Sequence, residues 1–446
     1  MAELERAGKP TVGFVAKRFE GDWRASAGAF GVEQLRYVVF PEVLTGITPE
    51  SIRSYTDDNV DEIVQLLTKS LQCNGSKGVA HPAETEVLTF NGSDRYDAVQ
   101  DMNREYLDSG WGDGYPLLPP TPEAVAAILK GTRRAPGDVV AIVEPGMGVA
   151  TVEKMAINAA MAGCSAEHLP LLIAAVEAMA TKPFPLRNLT QSTGGQGLLF
   201  VVNGPIAGRL GINGAQNALD VGKPSRVNVM LARALRLIML NIGHDYPGHL
   251  DMATIGAFRG LPFLTAENEL RSPWAPYHVD RGHARATSTI TVCGRSHQVD
   301  CEDLQNWTAE RVLTSIAGYS STMPHGGYSM IATNDEVIDH SINLNILLAP
   351  DHAKSIVRDG VTKQGAKEYI LNHAKFRAKF AKNHFVDDNQ PAPQWRWILD
   401  LPDDHLLQVV DSAERVNIFV VGGEAGRSVV LEGFGTPVTR EIETGG

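Results

Sequence analysis

Apolar and polar positions along the chain follow two spacings, one typical of strands and one typical of helices. Short apolar runs at Thr11–Ala16 and Arg36–Pro41 predict strands. Between Ser51 and Gln72, apolar residues recur every three or four positions and define one face of a predicted helix. That face is formed by Val60, Ile63, Val64, Leu67 and Leu71. The pattern predicts a small α/β domain at residues 1–75, followed by a polar linker at residues 76–92.

From residue 93 to residue 446, helical and strand-like segments continue to alternate, which predicts a larger mixed α/β domain. The predicted strands are Val139–Pro145, Leu198–Pro205, Ser288–Gly294, His340–Pro350 and Asn417–Ser428. The predicted helices are Tyr96–Leu107, Thr121–Leu129, Thr151–Cys164, Ser165–Ala180, Ser225–Asn241 and Ala309–Ala317. The polar composition of Arg187–Gly197 predicts a loop. No internal repeat is evident in the sequence.

The stretch from Asn203 to Trp274 combines a glycine-rich polar loop, an apolar helix and a polar segment rich in Gly and Pro. Arg226, Arg233 and Arg236 interrupt the apolar helix. A guanidinium in such a helix needs a carboxylate, which comes either from the protein or from a ligand. We predict that Arg233 or Lys154 holds a substrate carboxylate, while an internal ion pair is the alternative for the arginines.

Ionisable residues of two neighbouring segments form the predicted acid–base set. His244 and His249 lie on a loop with two aspartates, where they could bind a metal, transfer protons or form a surface loop. Their spacing matches no specific metal motif. Glu267 and Glu269 are two residues apart and share one face of an extended segment, as paired catalytic carboxylates or as a solvated pair.

Other polar and glycine residues are predicted to complete a composite site. Asn203, Gly204 and Asn213 are expected to donate hydrogen bonds to a substrate. The remaining predicted contributors lie on turns or loops and are Asp113, Tyr115, His325, Gly422 and Gly423. Asp113 and Tyr115 belong to a proline-framed turn, which is either a rigid connection or a wall of the site.

A nucleotide cofactor is not predicted. Gly146 and Gly148 follow a predicted strand and precede a helix, which resembles a phosphate-binding turn in outline. The full glycine pattern is absent, and no acidic residue follows where a ribose would require one. No flavin motif is evident either, so the cofactor is unknown and a divalent metal stays open.

Composition excludes several functional classes. The net charge of −12 over 446 residues argues against nucleic-acid binding. No apolar run is long enough to predict a membrane span, and the charged N-terminus does not resemble a signal peptide. The four cysteines show no metal or redox spacing, which favours reduced thiols in the cytoplasm. We expect a homo-oligomer that acts on a small molecule.

Cys164 lies at the C-terminal end of a predicted helix, where the helix dipole raises the pKa of a thiol. The sequence therefore favours a buried thiol over a nucleophile at this position. Cys293 and Cys301 could form a disulfide, but two reduced core positions are the favoured interpretation.

Several segments resemble the UGSC-type selenoprotein/thiol protein family. They are ERAGKPTV, GITPESI, DGYPLLPPTPE, ATVEKMAINAAMAGCSAEHLP, NGPIAGRLGI, RALRLIMLNIG, TAENELRSPW, LLAPDHAKSIVRDGVTK and VVGGEAGRS. The family takes its name from a Sec/Cys-Gly-Ser-Cys motif, and the resemblance implies a small α/β domain with thiol or selenol chemistry. This chain lacks the motif, and the nearest string is Cys73-Asn74-Gly75-Ser76, with one sulfur. Either the protein works without redox chemistry, or another chain supplies the missing segment.

Three functional hypotheses follow. The first is an enzyme that acts on a small polar or anionic organic substrate by acid–base chemistry, as a lyase or hydratase does. The second is a thiol-dependent oxidoreductase that uses Cys164. The third is a non-catalytic subunit that forms a complex with a chain bearing the missing motif.

Overall fold

The structure, a computed structural model, describes most of the chain after residue 86 and parts of the N-terminal region. The described residues are Met1, Leu4, Glu5, 7–17, Glu20, Trp23, Arg24, Ala27, Val32, 34–40, 49–68, 87–256, 260–303, 308–322, 342–383 and 393–443. The predicted linker falls largely outside these ranges, so the boundaries of the two domains stay predictions.

Among the described residues of the N-terminal region, two strands form a parallel sheet and two bounded helices follow them. Strand β1 (Gly13–Ala16) pairs with β2 (Tyr37–Phe40), and helices α1 (Pro49–Asp58) and α2 (Val60–Thr68) follow. Arg36, which precedes β2, forms a buried ion pair with Glu5 at 2.8 Å and donates to the carbonyl of Leu66 in α2. One guanidinium thus connects the sheet to the second helix.

The structure divides the predicted Ser51–Gln72 helix and leaves its apolar face exposed. The segment forms two helices that are separated at Asn59, and α2 contains no buried residue. Val60 is 45% exposed, Val64 53% and Leu67 37%. Leu71, the last residue of the predicted face, lies outside the described residues. The apolar spacing is therefore real, but the described structure leaves this face open to solvent.

Five helices and a hairpin precede the first large sheet. They are α3 (Arg95–Asp108), α4 (Pro122–Leu129), strands β3 (Val139–Val143) and β4 (Gly148–Thr151), α5 (Val152–Ala162), α6 (Leu169–Ala180) and α7 (Leu186–Gln191). The side chains of Asp94, Thr121 and Thr151 accept hydrogen bonds from the first turns of α3, α4 and α5, which explains where these helices begin.

Gly146 lies in the turn between the antiparallel strands β3 and β4, and Gly148 begins β4, so these glycines belong to a hairpin. A Cβ on Gly148 would collide with the carbonyl of Ile242, which accounts for a glycine there. The Arg187–Gly197 segment is helical over Leu186–Gln191, because Leu186 and Leu189 are buried in the core.

Two four-stranded sheets form the centre of the large domain. The strands are β5 (Gly197–Asn203), β6 (Phe263–Ala266), β7 (Thr289–Arg295), β8 (His297–Glu302), β9 (Ile342–Leu348), β12 (Val416–Val420), β13 (Arg427–Phe434) and β14 (Val438–Glu441). The first sheet has the order β14-β7-β5-β6, and the second has the order β8-β13-β9-β12. A separate small hairpin consists of β10 (Lys375–Arg377) and β11 (Leu406–Gln408).

The sheets face each other, and helices cover their outer surfaces. Leu199 and Val201 of β5 contact a core that also contains Leu347 of β9 and Phe419 of β12, so this core lies between the sheets. The helices that complete the domain are α8 (Pro205–Leu210), α9 (Arg226–Asn241), α10 (Tyr277–Asp280), α11 (Ala309–Ser320), α12 (Pro350–Arg358), α13 (Lys363–His373) and α14 (Ala378–Lys382). Helices α5, α6 and α9 pack on the outer face of the first sheet, and α11, α12 and α13 pack on that of the second. The predicted mixed α/β class is confirmed.

The strand pairings repeat a unit that the sequence did not reveal. Strands β5, β6, β7 and β8 correspond in chain order to β9, β12, β13 and β14. In each half the first two strands are parallel and the third is antiparallel to the first. The fourth strand of each half pairs with the third strand of the other half. The domain is therefore a structural duplication whose halves exchange their last strands.

The two exchanges require a close approach of backbone to backbone. The chain passes from the first sheet to the second between β7 and β8, and returns between β13 and β14. A Cβ on Gly433 would collide with the carbonyl oxygen of Gly294, and one on Gly294 would collide with Phe434. The backbone N–H of Ser296 also donates to Glu432 at 2.6 Å. Glycine is needed at both crossing points because the two backbones touch.

Candidate functional site

Polar residues meet where the parallel strands β5 and β6 end. Asn203 is the last residue of β5, and Glu267 follows the last residue of β6. The Asn203 side-chain nitrogen Nδ2 donates to Glu267 Oε2 at 2.7 Å and to Glu269 Oε1 at 3.0 Å. Carboxylates accept hydrogen bonds, so these two partners determine the orientation of the amide. Carboxyl ends of neighbouring parallel strands are common positions for ligand sites.

Glu267 is the buried member of the cluster, with 4% exposure. Its carboxylate accepts hydrogen bonds from the Asn203 amide, the Tyr277 N–H at 2.8 Å and the Val420 N–H at 3.3 Å. Burial raises the pKa of this carboxyl, while the charge of Lys363 and the hydrogen bonds act in the opposite direction. Glu267 therefore retains a proton at a higher pH than an ordinary glutamate.

Glu269 is the member that solvent reaches, with a side chain 22% exposed. Its Oε1 accepts the backbone N–H of Gly204 at 2.7 Å, in addition to the Asn203 amide. Gly204 has φ +81, and a Cβ there would collide with the carbonyl of Thr287. The position therefore requires glycine, and the backbone at the end of β5 orients Glu269.

His278, on the short helix α10, faces the same carboxylate. Its Nδ1 lies 4.0 Å from Glu269 Oε1, and the residue is fully buried. No described side chain hydrogen-bonds to either ring nitrogen, and the backbone of Ala284 and Arg285 lies against the ring. Burial lowers the pKa of His278, and Glu269 and these backbone groups oppose that shift. A buried imidazole beside a carboxylate makes His278 a candidate for chemistry.

Two buried atoms near the same corner lack partners among the residues that the structure describes. They are Asn203 Oδ1 and Thr289 Oγ1. Asn203 and Thr289 are paired across β5 and β7. Leu199, Val201 and Cys293 face the space between the sheets, so the two-residue period of the strands places both side chains on that side. Unused hydrogen-bonding capacity is thus concentrated at this end of the first sheet.

Backbone loops surround the cluster. Gly422 donates its N–H to the Gly214 carbonyl at 2.8 Å and accepts from the Asn268 side chain at 3.1 Å. The carbonyl of Asn213 accepts from Ala266, and Gly423 packs on Gln216. The structure thus brings seven predicted site residues to one region. They are Asn203, Gly204, Asn213, Glu267, Glu269, Gly422 and Gly423.

The second half of the duplication has apolar residues at the corresponding positions. The N–H of Glu267 donates to Val202 at 3.0 Å, and the N–H of Val421 donates to Leu348 at 3.0 Å. This shared pattern makes Val421 the counterpart of Glu267 and Ala349 the counterpart of Asn203. Gly423 corresponds in the same way to Glu269. The fold therefore does not itself require the polar residues of the first half.

The predicted histidines lie elsewhere. Helix α9 begins beside Asn213, since its residue Asn228 accepts the Asn213 N–H at 2.8 Å. His244 follows the other end of this 16-residue helix, about 24 Å away at 1.5 Å per residue. His249 is exposed on the same loop. The histidines and the glutamates therefore do not form a single acid–base set.

Lys154 accompanies His244 at that distant end. Its Nζ donates to the Val149 carbonyl at 3.1 Å, and its charge, together with burial as the larger cause, lowers the pKa of His244. His244 has φ +54, an unusual backbone conformation for a residue other than glycine. Among the described residues, no group of three or more His, Cys, Asp or Glu side chains could hold a metal ion.

Arg233, Asp113 and Tyr115 form an internal contact. The Arg233 guanidinium binds the Asp113 carboxylate at 2.7 and 2.9 Å and donates to the carbonyls of Tyr115 and Pro116. Arg236 is similarly paired with buried Asp245 at 2.5 Å. These arginines therefore follow the ion-pair alternative, because the protein supplies their carboxylates.

The three described cysteines are buried or partly buried thiols. Cys164 is partly buried against the first core, and burial raises the pKa of its thiol to about 12. Cys293 and Cys301 are free and buried, which confirms two reduced core positions. His325 and Cys73 lie outside the described residues.

His278 is the residue of this cluster that the sequence did not select. It lies nine positions after Glu269, in a segment where Pro273 and Pro276 favour irregular structure. A lone histidine there carries no motif. Its burial and its proximity to Glu269 are visible only in three dimensions.

Comparison with known proteins supports the resemblance for the N-terminal region. Residues 2–69 match the model of the UGSC family, which confirms the resemblance for that segment. No curated protein and no solved structure matches the chain. The candidate site lies outside the matched segment.

Proposed function

We propose that the protein is an enzyme that acts on a small polar organic substrate by acid–base chemistry at Glu267, Glu269 and His278. The observation that carries the proposal is a buried imidazole 4.0 Å from one of two carboxylates that share one amide. Ionisable groups with shifted pKa values at the ends of parallel strands are typical of catalytic sites.

The residues have distinct roles in this proposal. His278, whose pKa is lowered, is the base, because its neutral form has a ring nitrogen that can accept a proton. The 4.0 Å between His278 Nδ1 and Glu269 Oε1 is too long for a hydrogen bond but leaves room for a group that bonds to both. Glu267 and Asn203 are positioning residues, since they orient Glu269 from the buried side.

The reaction class is elimination or addition of water, as in lyases and hydratases. His278 would take a proton from a substrate carbon and, as an imidazolium, deliver it to the leaving hydroxyl oxygen, while the Glu269 carboxylate holds the substrate in position. The electron pair of the broken C–H bond would form the new double bond, and water would leave. The reverse sequence adds water to that bond.

The protein's surroundings are also part of the proposal. None of the described helices is long and apolar enough to cross a membrane. The described cysteines are free, which supports a reducing compartment such as the cytoplasm.

A second candidate function is that of a non-catalytic subunit. The exposed face of Val60, Val64 and Leu67 lies within the segment that matches the UGSC family. Such a face is consistent with a partner chain. The thiol oxidoreductase hypothesis has less support, because the raised pKa of Cys164 keeps its thiol protonated.

The test is a substrate screen with matched variants. Purified wild-type protein is incubated in D2O with pools of hydroxy acids, amino acids, amines and polyols, and ¹H NMR detects product formation or exchange of C–H for C–D. We expect one pool to react, and His278→Gln and Glu269→Gln to reduce the rate at least about a hundredfold.

Glu105→Gln, on the exposed surface of α3, is the carboxylate control and should leave the rate unchanged. Loss of activity in His249→Gln but not in His278→Gln would move the chemistry to the other end of α9. Absence of any reaction, together with a stable complex with another chain in solution, would favour the subunit function.

A further inference from the structure

The hydrogen-bonding capacity left over at the candidate site is dominated by acceptors. Asn203 Oδ1 can only accept, and the Glu269 carboxylate can accept further bonds at its exposed side. Thr289 Oγ1, which also has no partner among the described residues, can accept two bonds and donate one. A ligand that satisfies this corner must therefore bring donors.

The negative charge at this corner also favours a ligand that brings donors, and in particular a cation. Glu269 is partly open to solvent, and no guanidinium or ammonium neutralises it among the described contacts. The nearest cations are engaged elsewhere. Lys363 binds Asp280 at 2.6 Å and the Ala275 carbonyl at 3.0 Å, and Arg281 binds the Tyr277 hydroxyl at 2.6 Å.

The residues predicted to hold a substrate carboxylate cannot do so here. The Arg233 guanidinium already binds Asp113 and two carbonyls, and Lys154 lies near the far end of α9. An anionic substrate would therefore meet Glu269 without a compensating cation. The expectation of an anionic substrate rested on arginines and lysines that the fold uses elsewhere.

We infer that the substrate carries a protonated amino group, which Glu269, Asn203 Oδ1 and Thr289 Oγ1 bind. An ammonium group has three donors and no acceptor, which matches three acceptors at one corner. Its positive charge compensates the Glu269 carboxylate. His278 is left free for proton transfer, so this inference rests on the proposed function and deepens it.

The duplication supports a ligand role for these atoms. Ala349, the counterpart of Asn203, is buried without a polar side chain, and Gly423 stands where Glu269 stands in the first half. The same fold is thus built in the second half without these acceptors. Their presence in the first half is consistent with binding and is not a requirement of the sheet.

The experiment measures binding of three probes of equal length, propylamine, propanol and propionate, by ligand-observed NMR titration at pH 7. We expect saturable binding of propylamine, at least about tenfold weaker binding of propanol, and no binding of propionate. Glu269→Gln and Thr289→Val should each weaken propylamine binding about tenfold, because each removes one bond to a charged group.

Thr291→Val is the matched control. Thr291 lies on the same strand and is equally buried, but its hydroxyl bonds to Thr439 at 2.9 Å. It should leave propylamine affinity within about twofold. If Glu269→Gln does not fold, Thr289→Val and Thr291→Val still provide the comparison.

Two outcomes would overturn the inference. One is propionate binding as tightly as propylamine, and the other is propylamine binding that neither variant weakens. The outcomes also separate the two proposals. Specific amine binding without turnover of any compound would support the amine site and contradict the proposed enzymatic function. Turnover of a substrate that contains no nitrogen, with a rate that depends on His278, would support the enzymatic function and contradict the amine site.

Discussion

Glu267 and Val421 occupy the same position in the two halves of the fold. Each follows the second strand of its half, and each donates its N–H at 3.0 Å to a carbonyl near the end of the first strand, that of Val202 or Leu348. A buried carboxylate in one half and a buried valine in the other show that the backbone accepts both. Glu267 is therefore best explained by its neighbours Asn203, Glu269 and His278.

Glu267 should make stability depend on pH. Burial raises its pKa in the folded state above the usual value of a glutamate. The folded state therefore binds this proton more tightly, so the contribution to stability is complete below that value and is lost as pH rises through the raised pKa. We expect the free energy of unfolding of the wild type to fall relative to that of Glu267→Gln over this interval, measured by urea unfolding between about pH 4 and 8.

Glu105→Gln is the control for this measurement, since Glu105 is exposed. Its free energy of unfolding should run parallel to that of the wild type across the range. A constant difference between the wild type and Glu267→Gln at every pH would contradict the assignment.

The buried pair of Arg236 and Asp245 should be essential for stability. Arg236→Met removes the guanidinium that compensates a fully buried carboxylate at 2.5 Å, and breaking such pairs costs about 3–5 kcal/mol. Chemical unfolding measures the loss. Arg104→Met removes an arginine from an exposed pair with Asp101, and should cost far less because solvent screens that pair. If both variants lost the same free energy of unfolding, the buried pair would be no more important for stability than the exposed pair, and the prediction would be wrong.

Cys164 should react slowly in the folded protein. Burial raises the pKa of its thiol from 9.0 to about 12, which lowers the thiolate fraction near neutral pH by about a thousandfold. We expect iodoacetamide labelling at pH 8, followed by peptide mass spectrometry, to be slow in the native state and fast in urea. Rapid native labelling of Cys164 would restore the thiol hypothesis.

Gly433 should tolerate no side chain. A Cβ there would collide with the Gly294 carbonyl where the chain crosses between sheets, so Gly433→Ala must separate two backbones. We expect a loss of several kcal/mol or failure to fold, measured as a lower unfolding midpoint. Gly208→Ala in α8 is the control, since its Cβ meets open space. It should be neutral or stabilising by up to about 1 kcal/mol.

Local patterns predicted most of the elements that form the core. The apolar run before Asn203 is the buried strand β5, and the apolar helix with embedded arginines is α9. These predictions succeeded because burial on both sides of a strand or helix leaves a continuous apolar signal in the chain. The helix α2 shows the limit of that signal, since the same spacing there faces solvent.

The duplication and the exchange of strands β8 and β14 could not be read from the chain. Strand pairing is a contact between distant segments, and the two halves repeat their hydrogen bonds without repeating their side chains. The pairing of Glu432 with His297 joins positions from different halves. No local period encodes such a contact.

For the candidate site, the sequence by itself determined the ingredients. The paired glutamates, the Asn203 loop and the glycine turn at Gly422 were identified from residue type and spacing. Only the tertiary structure decided how they are grouped. In the fold, His278 lies beside Glu269. His244 lies about one helix length away, because the 16-residue helix α9 runs from the candidate site to the loop that carries His244. Residue chemistry is local, whereas the distance between two groups is a property of the whole fold.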